Sequence, residues 1–361
     1  MLWKSSRRKL IRGMSSTSQK TTALSLLRMK RRGERITMVT CYDYPSAMHV
    51  DGAGIDVALC GDSLGMVALG MATTQPVRLE EMVHHCKAVR RGLSSQGPML
   101  VCDLPFGSYE ESPEQALKSA FTCVKEAGAD AVKLEGGRIM ACAIEKIVNV
   151  GGIAVMGHVG LTPQKISTLG GFRAQGRTAV KARAVLDDAL ALQDAGAFAV
   201  VAECVPDIVG RALAENLEIP VIGIGAGSYV DGQVLVYHDL LGSLHHPHHK
   251  RFVPKFCKVF ADIGEASRLG LQAFKDEVQA GSFPSADFSP YKMPTQEAAK
   301  FRAMLHLDED IRLSRRRETH KRIIDADEYE NIGLYGGGNS NTFSPSSAST
   351  TTNGGGDIQS K

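Results

Sequence analysis

The chain has 361 residues, 43% of them hydrophobic and 22% charged, with a formal net charge of +3. This length suits one large α/β domain, since a single barrel occupies about 250 residues. The small net charge argues against a general nucleic-acid binder, and no apolar run reaches the roughly 18 residues of a membrane span, so a soluble protein is expected.

Ten basic residues, from Lys4 to Arg32, precede the first acid, Glu34, among several serines and threonines. Basic, hydroxylated and acid-poor sequence is the composition of an organelle transit peptide, so residues 1–19 are read as a mitochondrial leader and the matrix as the destination. Next, Thr22 is a ready N-cap for a short helix over residues 21–32, placed to cap a barrel from below. Ile36 to Asp43 is a β-branched strand, and Pro45 to Val50 starts a short helix. Val57 to Asp62 forms a second strand, Leu79 to Arg91 a helix with apolar residues at i, i+3 and i+4, and Met99 to Leu104 a third strand. Ser112 and Pro113 open the next helix, as N-cap and first helical residue.

The fourth strand, Ala131 to Gly137, alternates: Lys133 and Glu135 take one face, Val132 and Leu134 the other. A fifth strand runs from Ile153 to Gly160. A helix over residues 180–194 leads to a sixth strand ending at Glu203, a seventh over residues 220–227, and an eighth over residues 234–238. Eight strands alternating with helices select a (β/α)8 TIM barrel over an open sheet. The barrel and its C-terminal helices are assigned to residues 20–293, a charged helical extension to 294–335, and a disordered Ser/Thr/Asn/Gly-rich tail to 336–361.

Strands two, three, four and six each end in an acid: Asp62, Asp103, Glu135 and Glu203. In a barrel those ends share one face, where active sites form. Any one such acid is ordinarily a helix cap or a loop contact; four together with Lys133 point to chemistry. Asp62, Asp103 and Glu135 are an all-oxygen set suited to Mg²⁺, which keeps several waters and takes one or two direct carboxylates. A 2-oxo acid chelated there would have its charge neutralised by Lys133 and lose a neighbouring proton to Glu203.

Other features carry two readings. His158 is either a substrate contact or a satisfied structural histidine. Gly223 to Gly227 is either a phosphate cradle or, as favoured here, a close approach to an uncharged part of the ligand. His245-His246-Pro247-His248-His249 reads as a solvated loop rather than a metal site. The eight cysteines form no Cys-x-x-Cys pair and several lie in apolar strands, so neither a disulfide framework nor a zinc site is expected.

Several segments together resemble the ketopantoate hydroxymethyltransferase family: Thr40-Cys41-Tyr42-Asp43-Tyr44, Gly61-Asp62-Ser63-Leu64-Gly65-Met66, Asp103-Leu104-Pro105-Phe106, Val132 to Gly137, Gly157 to Pro163, Glu203-Cys204-Val205-Pro206, and Gly223 to Gly227. The chain is similar to the plant-type branch. The resemblance implies a barrel of the phosphoenolpyruvate/pyruvate type and Mg²⁺-dependent transfer of a one-carbon unit from 5,10-methylenetetrahydrofolate to 3-methyl-2-oxobutanoate. It further implies that Asp62 and Asp103 bind the metal, with Glu135 joining directly or through water. Ser63 and Lys133 would hold the substrate carboxylate, Glu203 would accept the proton, and the enzyme would be a homo-oligomer, often a decamer. Met71-Ala72 stand where the family usually has His-Asp, a change that bears on loop closure. The competing expectations are a carbon–carbon lyase or mutase of related barrels, and an inactive barrel kept as a binding protein.

Overall fold

Eight short parallel strands pair in sequence order, and the last returns to the first, closing a barrel. The structure is a computed structural model that describes residues 20–169, 171, 173–243, 254–289, 291–307 and 309–331. The expected leader, the histidine cluster at 245–249 and the expected tail at 336–361 lie outside the described residues. No helix among the described residues is long and apolar enough to cross a membrane. The chain divides into two compact units, one ending at Asp276 and the other beginning at Glu277.

In chain order the first unit begins with α1 (Ala23–Arg32), β1 (Ile36–Thr40), α2 (Tyr44–Gly52), β2 (Val57–Cys60), α3 (Leu64–Val67), α4 (Leu79–Gly92), β3 (Met99–Asp103), α5 (Pro113–Ala127) and β4 (Ala131–Lys133). A 3-10 turn, α6 (Ala141–Glu145) and a π-helical turn precede β5 (Ala154–Gly160), which is followed by α7 (Ile166–Leu169), α8 (Ala179–Asp194), β6 (Ala199–Glu203), α9 (Asp207–Asn216), β7 (Val221–Ile224), β8 (Gly232–Leu235) and α10 (Tyr237–Leu240). Helix α11 (Ile263–Gln279) carries no buried residue. The second unit holds α12 (Thr295–Leu307) and α13 (Glu309–Asn331).

Local chemistry explains the boundaries. The Thr22 hydroxyl accepts from Ser25 N while Ser25 Oγ accepts from Thr22 N, a reciprocal box that satisfies two free donors of α1. Gly33 then ends α1 in the left-handed region, at φ 69°. At α5, Ser112 caps Gln115 N and Pro113 fills the first helical position, as the sequence indicates.

Period-2 alternation sorts the strand residues into two apolar layers. Ile36, Met38, Val57, Leu59, Met99, Val101, Ala131, Met156, Ala199 and Val201 fill the barrel interior, and Leu26 of α1 packs against this set. The alternate residues, including Ala58, Cys60, Leu100, Cys102, Val132, Val155 and Val200, form a second layer with the helices. The expected N-terminal capping helix is therefore α1, and its anchor is one leucine.

The expected eighth strand is corrected. Pairing runs over Gly232–Leu235, in register with Ile36 to Val39 of β1, whereas Tyr237 and His238 belong to the helical turn α10. A continuous apolar run hid the boundary, because apolar runs alone do not separate strand from helix. Leu26 is 1% exposed. Leu26→Ala is expected to lower the unfolding free energy in urea by about 3 kcal/mol; a loss under about 1 kcal/mol would mean that the barrel floor does not depend on it.

Candidate active site

Asp103 and Lys133 occupy directly opposed positions at the ends of β3 and β4. Each lies two residues beyond an interior apolar residue, Val101 and Ala131, so both side chains point into the barrel. Lys133 Nζ sits 2.9 Å from Asp103 Oδ1, and both side chains are buried. Asp103 Oδ2 accepts from Asp62 N at 3.1 Å, which ties the turn after β2 to the end of β3. Asp103 Oδ1 has no partner in hydrogen-bonding geometry despite its closeness to Lys133.

Glu135 lies two residues past Lys133 on the same face and is 1% exposed. Glu203 ends β6 opposite Gly160, with its side chain 16% exposed, and is the most accessible of the four acids. The next residue, Cys204, is a non-glycine at φ 49°, and its backbone is clamped by Ile224 O and Gln175 N, each at 2.8 Å. Strain of this kind persists where surrounding bonds over-determine the backbone, and here it fixes the exit from Glu203. Gly160 stands at φ +92°, and a Cβ there would meet Glu203 O at 2.3 Å, so only glycine lets β5 pass. Ser63 Oγ lies 2.9 Å from Tyr42 Oη, in the turn that carries Asp62.

The electrostatics follow from four acids sharing one lysine where burial removes them from bulk water. Burial raises Asp62 to about 6, helped by Asp103 and opposed by Lys133 and Gln164. Burial, with Lys133 in opposition and Asp62 and Asp103 adding, pushes Glu203 up to about 8. Burial and the Asp62 charge lift Glu135 well above the carboxylate range, and Asp103 is raised by burial against the pull of Lys133. Burial disfavours the Lys133 ammonium, but Asp103, Glu135 and Asp62 more than offset this and keep it charged.

His158 is pushed down to about 3 by burial and by Lys133, so it is neutral. Its Nε2 donates to Leu161 O at 2.7 Å, which makes the 3.4 Å approach to Glu203 Oε2 a contact between a neutral ring and an acid. Nδ1 faces Glu135 Oε1 at 4.0 Å and has no hydrogen-bond partner. One nitrogen is thus structural and the other is open to the site.

The structure also supplies a residue that sequence reasoning did not single out. Gln164, fully buried in the turn after β5, donates from Nε2 to Asp62 Oδ2 at 2.7 Å and from its backbone N to Glu135 Oε2 at 3.1 Å. The only hint in the sequence was an amide inside the turn opened by Pro163.

Two expectations change. The close approach at Gly225 is to the chain itself, because a Cβ there would lie 2.6 Å from the Phe256 ring. The cysteines form no Cys-x-x-Cys pair in sequence, yet Cys60, Cys86 and Cys102 bring their sulfurs within 4.8 Å of one another, in the layer outside the barrel. Among the described residues only these three close to that spacing, so the acids are spread more widely. At the loop where Met71-Ala72 replace the usual pair, Met71 N donates to Gly65 O at 2.7 Å and the loop closes on itself.

The donor set fits Mg²⁺. It is all oxygen, has more carboxyl groups than its one lysine can balance, and leaves Asp103 Oδ1 without a hydrogen bond. Wider spacing also suits an ion that keeps its own waters.

Fold and site together define an acid-rich (β/α)8-barrel enzyme with its chemistry at the carboxyl ends of the strands. The profile of the family described as ketopantoate hydroxymethyltransferase matches residues 20–286. The mitochondrial 3-methyl-2-oxobutanoate hydroxymethyltransferase 1 of Arabidopsis thaliana is 53% identical over 284 residues, covering 79% of this chain and 81% of that protein. The 3-methyl-2-oxobutanoate hydroxymethyltransferase of Moorella thermoacetica is 51% identical over 270 residues, covering 75% and 97%. A solved phosphoenolpyruvate phosphomutase from Streptomyces platensis subsp. rosaceus aligns at TM-score 0.47 and 14% identity over 80% of this chain and 97% of that one, too slight a likeness to carry an argument. The chain belongs to the ketopantoate hydroxymethyltransferase family.

The raised acids make stability depend on pH. The native chain keeps a proton on Asp62 up to about 6 and on Glu203 up to about 8, where the unfolded chain has already released them. Their contribution is therefore fully present at low pH and is lost as pH rises through the folded-state values. The melting temperature of the metal-free protein is expected to fall over that interval in calorimetry, and Mg²⁺ to restore it. A flat profile would mean that the acids are already compensated.

Proposed function

We propose that this enzyme transfers a hydroxymethyl group from 5,10-methylenetetrahydrofolate to C3 of 3-methyl-2-oxobutanoate, giving 2-dehydropantoate in the first step of pantothenate synthesis, and that it requires Mg²⁺. The observation that carries the reading is Glu203, raised by burial and set beside a lysine and three further acids at the barrel mouth.

Asp62 and Asp103 would hold the ion, and Glu135 would join them directly or through water. When bound, Mg²⁺ would supply Lewis-acid polarisation of the 2-oxo group. Lys133, kept charged by its carboxylate neighbours, neutralises the substrate carboxylate, with Ser63 as a second contact. Glu203 takes the C3 proton, and the electron pair of the broken C–H bond spreads into the adjacent carbonyl. That carbon then forms the new C–C bond to the one-carbon unit, and water provides the hydroxyl as tetrahydrofolate leaves. A carboxylate raised toward neutral pH is well matched to this proton transfer. Neutral His158 beside it does not compete for the proton as a stronger base would.

The same reading extends to setting. The acid-free basic sequence before Glu34, together with the mitochondrial names of the plant relatives, supports a mitochondrial location. Exposed Phe260, Leu269 and Leu271 on and beside α11 support a homo-oligomer, with a decamer as the expected form.

The test is exchange of the C3 proton of 3-methyl-2-oxobutanoate in D₂O, followed by NMR without and then with methylenetetrahydrofolate. Wild-type exchange should need Mg²⁺, and Glu203→Gln should slow it by about 10²- to 10⁴-fold. Formation of 2-dehydropantoate should follow addition of the folate. The rate should rise with pH as Glu203 loses its proton, with bound Mg²⁺ moving the midpoint below about 8. Metal-independent exchange, or exchange unaffected by Glu203→Gln, would sink the assignment.

A further inference from the structure

Gln164 uses every hydrogen-bonding atom it has. Nε2 donates to Asp62 Oδ2 at 2.7 Å and to Leu104 O at 3.0 Å, and Oε1 accepts from Tyr109 Oη at 2.5 Å. Its backbone N donates to Glu135 Oε2 at 3.1 Å, and its backbone O accepts from Gln75 Nε2 at 2.9 Å. The residue is fully buried, so none of these bonds is shared with bulk water.

Chemistry fixes the direction in which the amide points. A carboxylate and a carbonyl only accept, so the NH₂ group must face Asp62 and Leu104. Tyr109 confirms this from the other side: its oxygen accepts from Glu135 N at 3.2 Å, and its single proton has its shorter contact at Gln164 Oε1. Flipping the amide would set its oxygen against a carboxylate and a carbonyl, neither of which can donate.

One consequence concerns the oxygens left over. Asp62 Oδ2 is held by the Gln164 side chain and Glu135 Oε2 by the Gln164 backbone, so each acid offers one oxygen. Asp103 likewise has Oδ2 taken by Asp62 N, which leaves Oδ1, beside Lys133 but without a hydrogen bond. Ca²⁺ prefers 6–8 oxygens, often from bidentate carboxylates, whereas Mg²⁺ takes six in a tight octahedron and retains water. A site whose acids each present one oxygen favours the smaller ion.

We propose that Gln164 is a positioning residue that holds Asp62 to one free oxygen and thereby makes the site select Mg²⁺ over Ca²⁺. The inference rests on the reading above, in which Asp62, Asp103 and Glu135 hold a divalent cation. It requires no movement of the fold: the side chain that sets the selectivity is locked in place by Tyr109 and Leu104.

Isothermal titration calorimetry of Mg²⁺ and of Ca²⁺ into the metal-free full chain tests it, on wild type, Gln164→Met and Gln164→Glu. Wild type should bind Mg²⁺ the more tightly. In Gln164→Met, Asp62 regains both oxygens, so Mg²⁺ should weaken by about tenfold or more while Ca²⁺ weakens less or strengthens. Gln164→Glu keeps the shape but, ionised, cannot donate; it should narrow the same ratio, and it serves if the methionine variant fails to fold. A merely structural role would weaken both ions alike and leave their ratio unchanged, overturning the proposal. Wild type that binds both ions equally would also overturn it. Wild type that binds neither would sink the Mg²⁺ reading itself, and this inference with it.

Discussion

Everything at the mouth of this barrel depends on the ion pair between Asp103 and Lys133, made inside the fold at opposed positions of neighbouring strands. A lysine there is costly to desolvate, and a pair that merely breaks even with an apolar replacement adds nothing to stability. Its value lies in charge placement. Lys133 is a fixed cation among four carboxyl groups, which keeps the acids from all remaining protonated and leaves a net demand for positive charge. On the proposed reading, a divalent ion would meet that demand and leave charge enough to hold an anionic substrate.

Much of this was legible in the chain. Asp103, Lys133 and Glu203 are readable because a strand alternates faces: once Val101, Ala131 and Val201 are assigned to the interior, the residues two further on must follow them. Glu135 extends the same rule beyond the last paired residue of β4. Asp62 is different. It lies past the end of β2, where alternation no longer applies, and only its place in the series of strand-end acids marks it.

What stayed hidden was set by contacts between distant parts of the chain. Gln164 has no periodic neighbours to reveal it, and its partners come from the segments just after β2, β3 and β4. The sulfurs of Cys60, Cys86 and Cys102 meet only because β2 and β3 pair in a register that sets Cys60 against Cys102 under α4. Gly225 was read as making room for a ligand, yet the ring it makes room for is Phe256, some thirty residues on. In each case the local sequence stated that a residue was unusual but not what it would touch.

The apolar filling of the lower barrel has a further meaning. Met38, Val57, Met99, Ala131 and Met156, with Leu26 beneath, leave the polar chamber with a sealed floor. In the proposed reaction, substrate and donor would then have to enter and leave on the side of the loops that follow the strands, and a proton taken up by Glu203 would have to leave by that same side. Recharging of the base and departure of the product would thus be coupled in time by a floor that takes no part in the reaction.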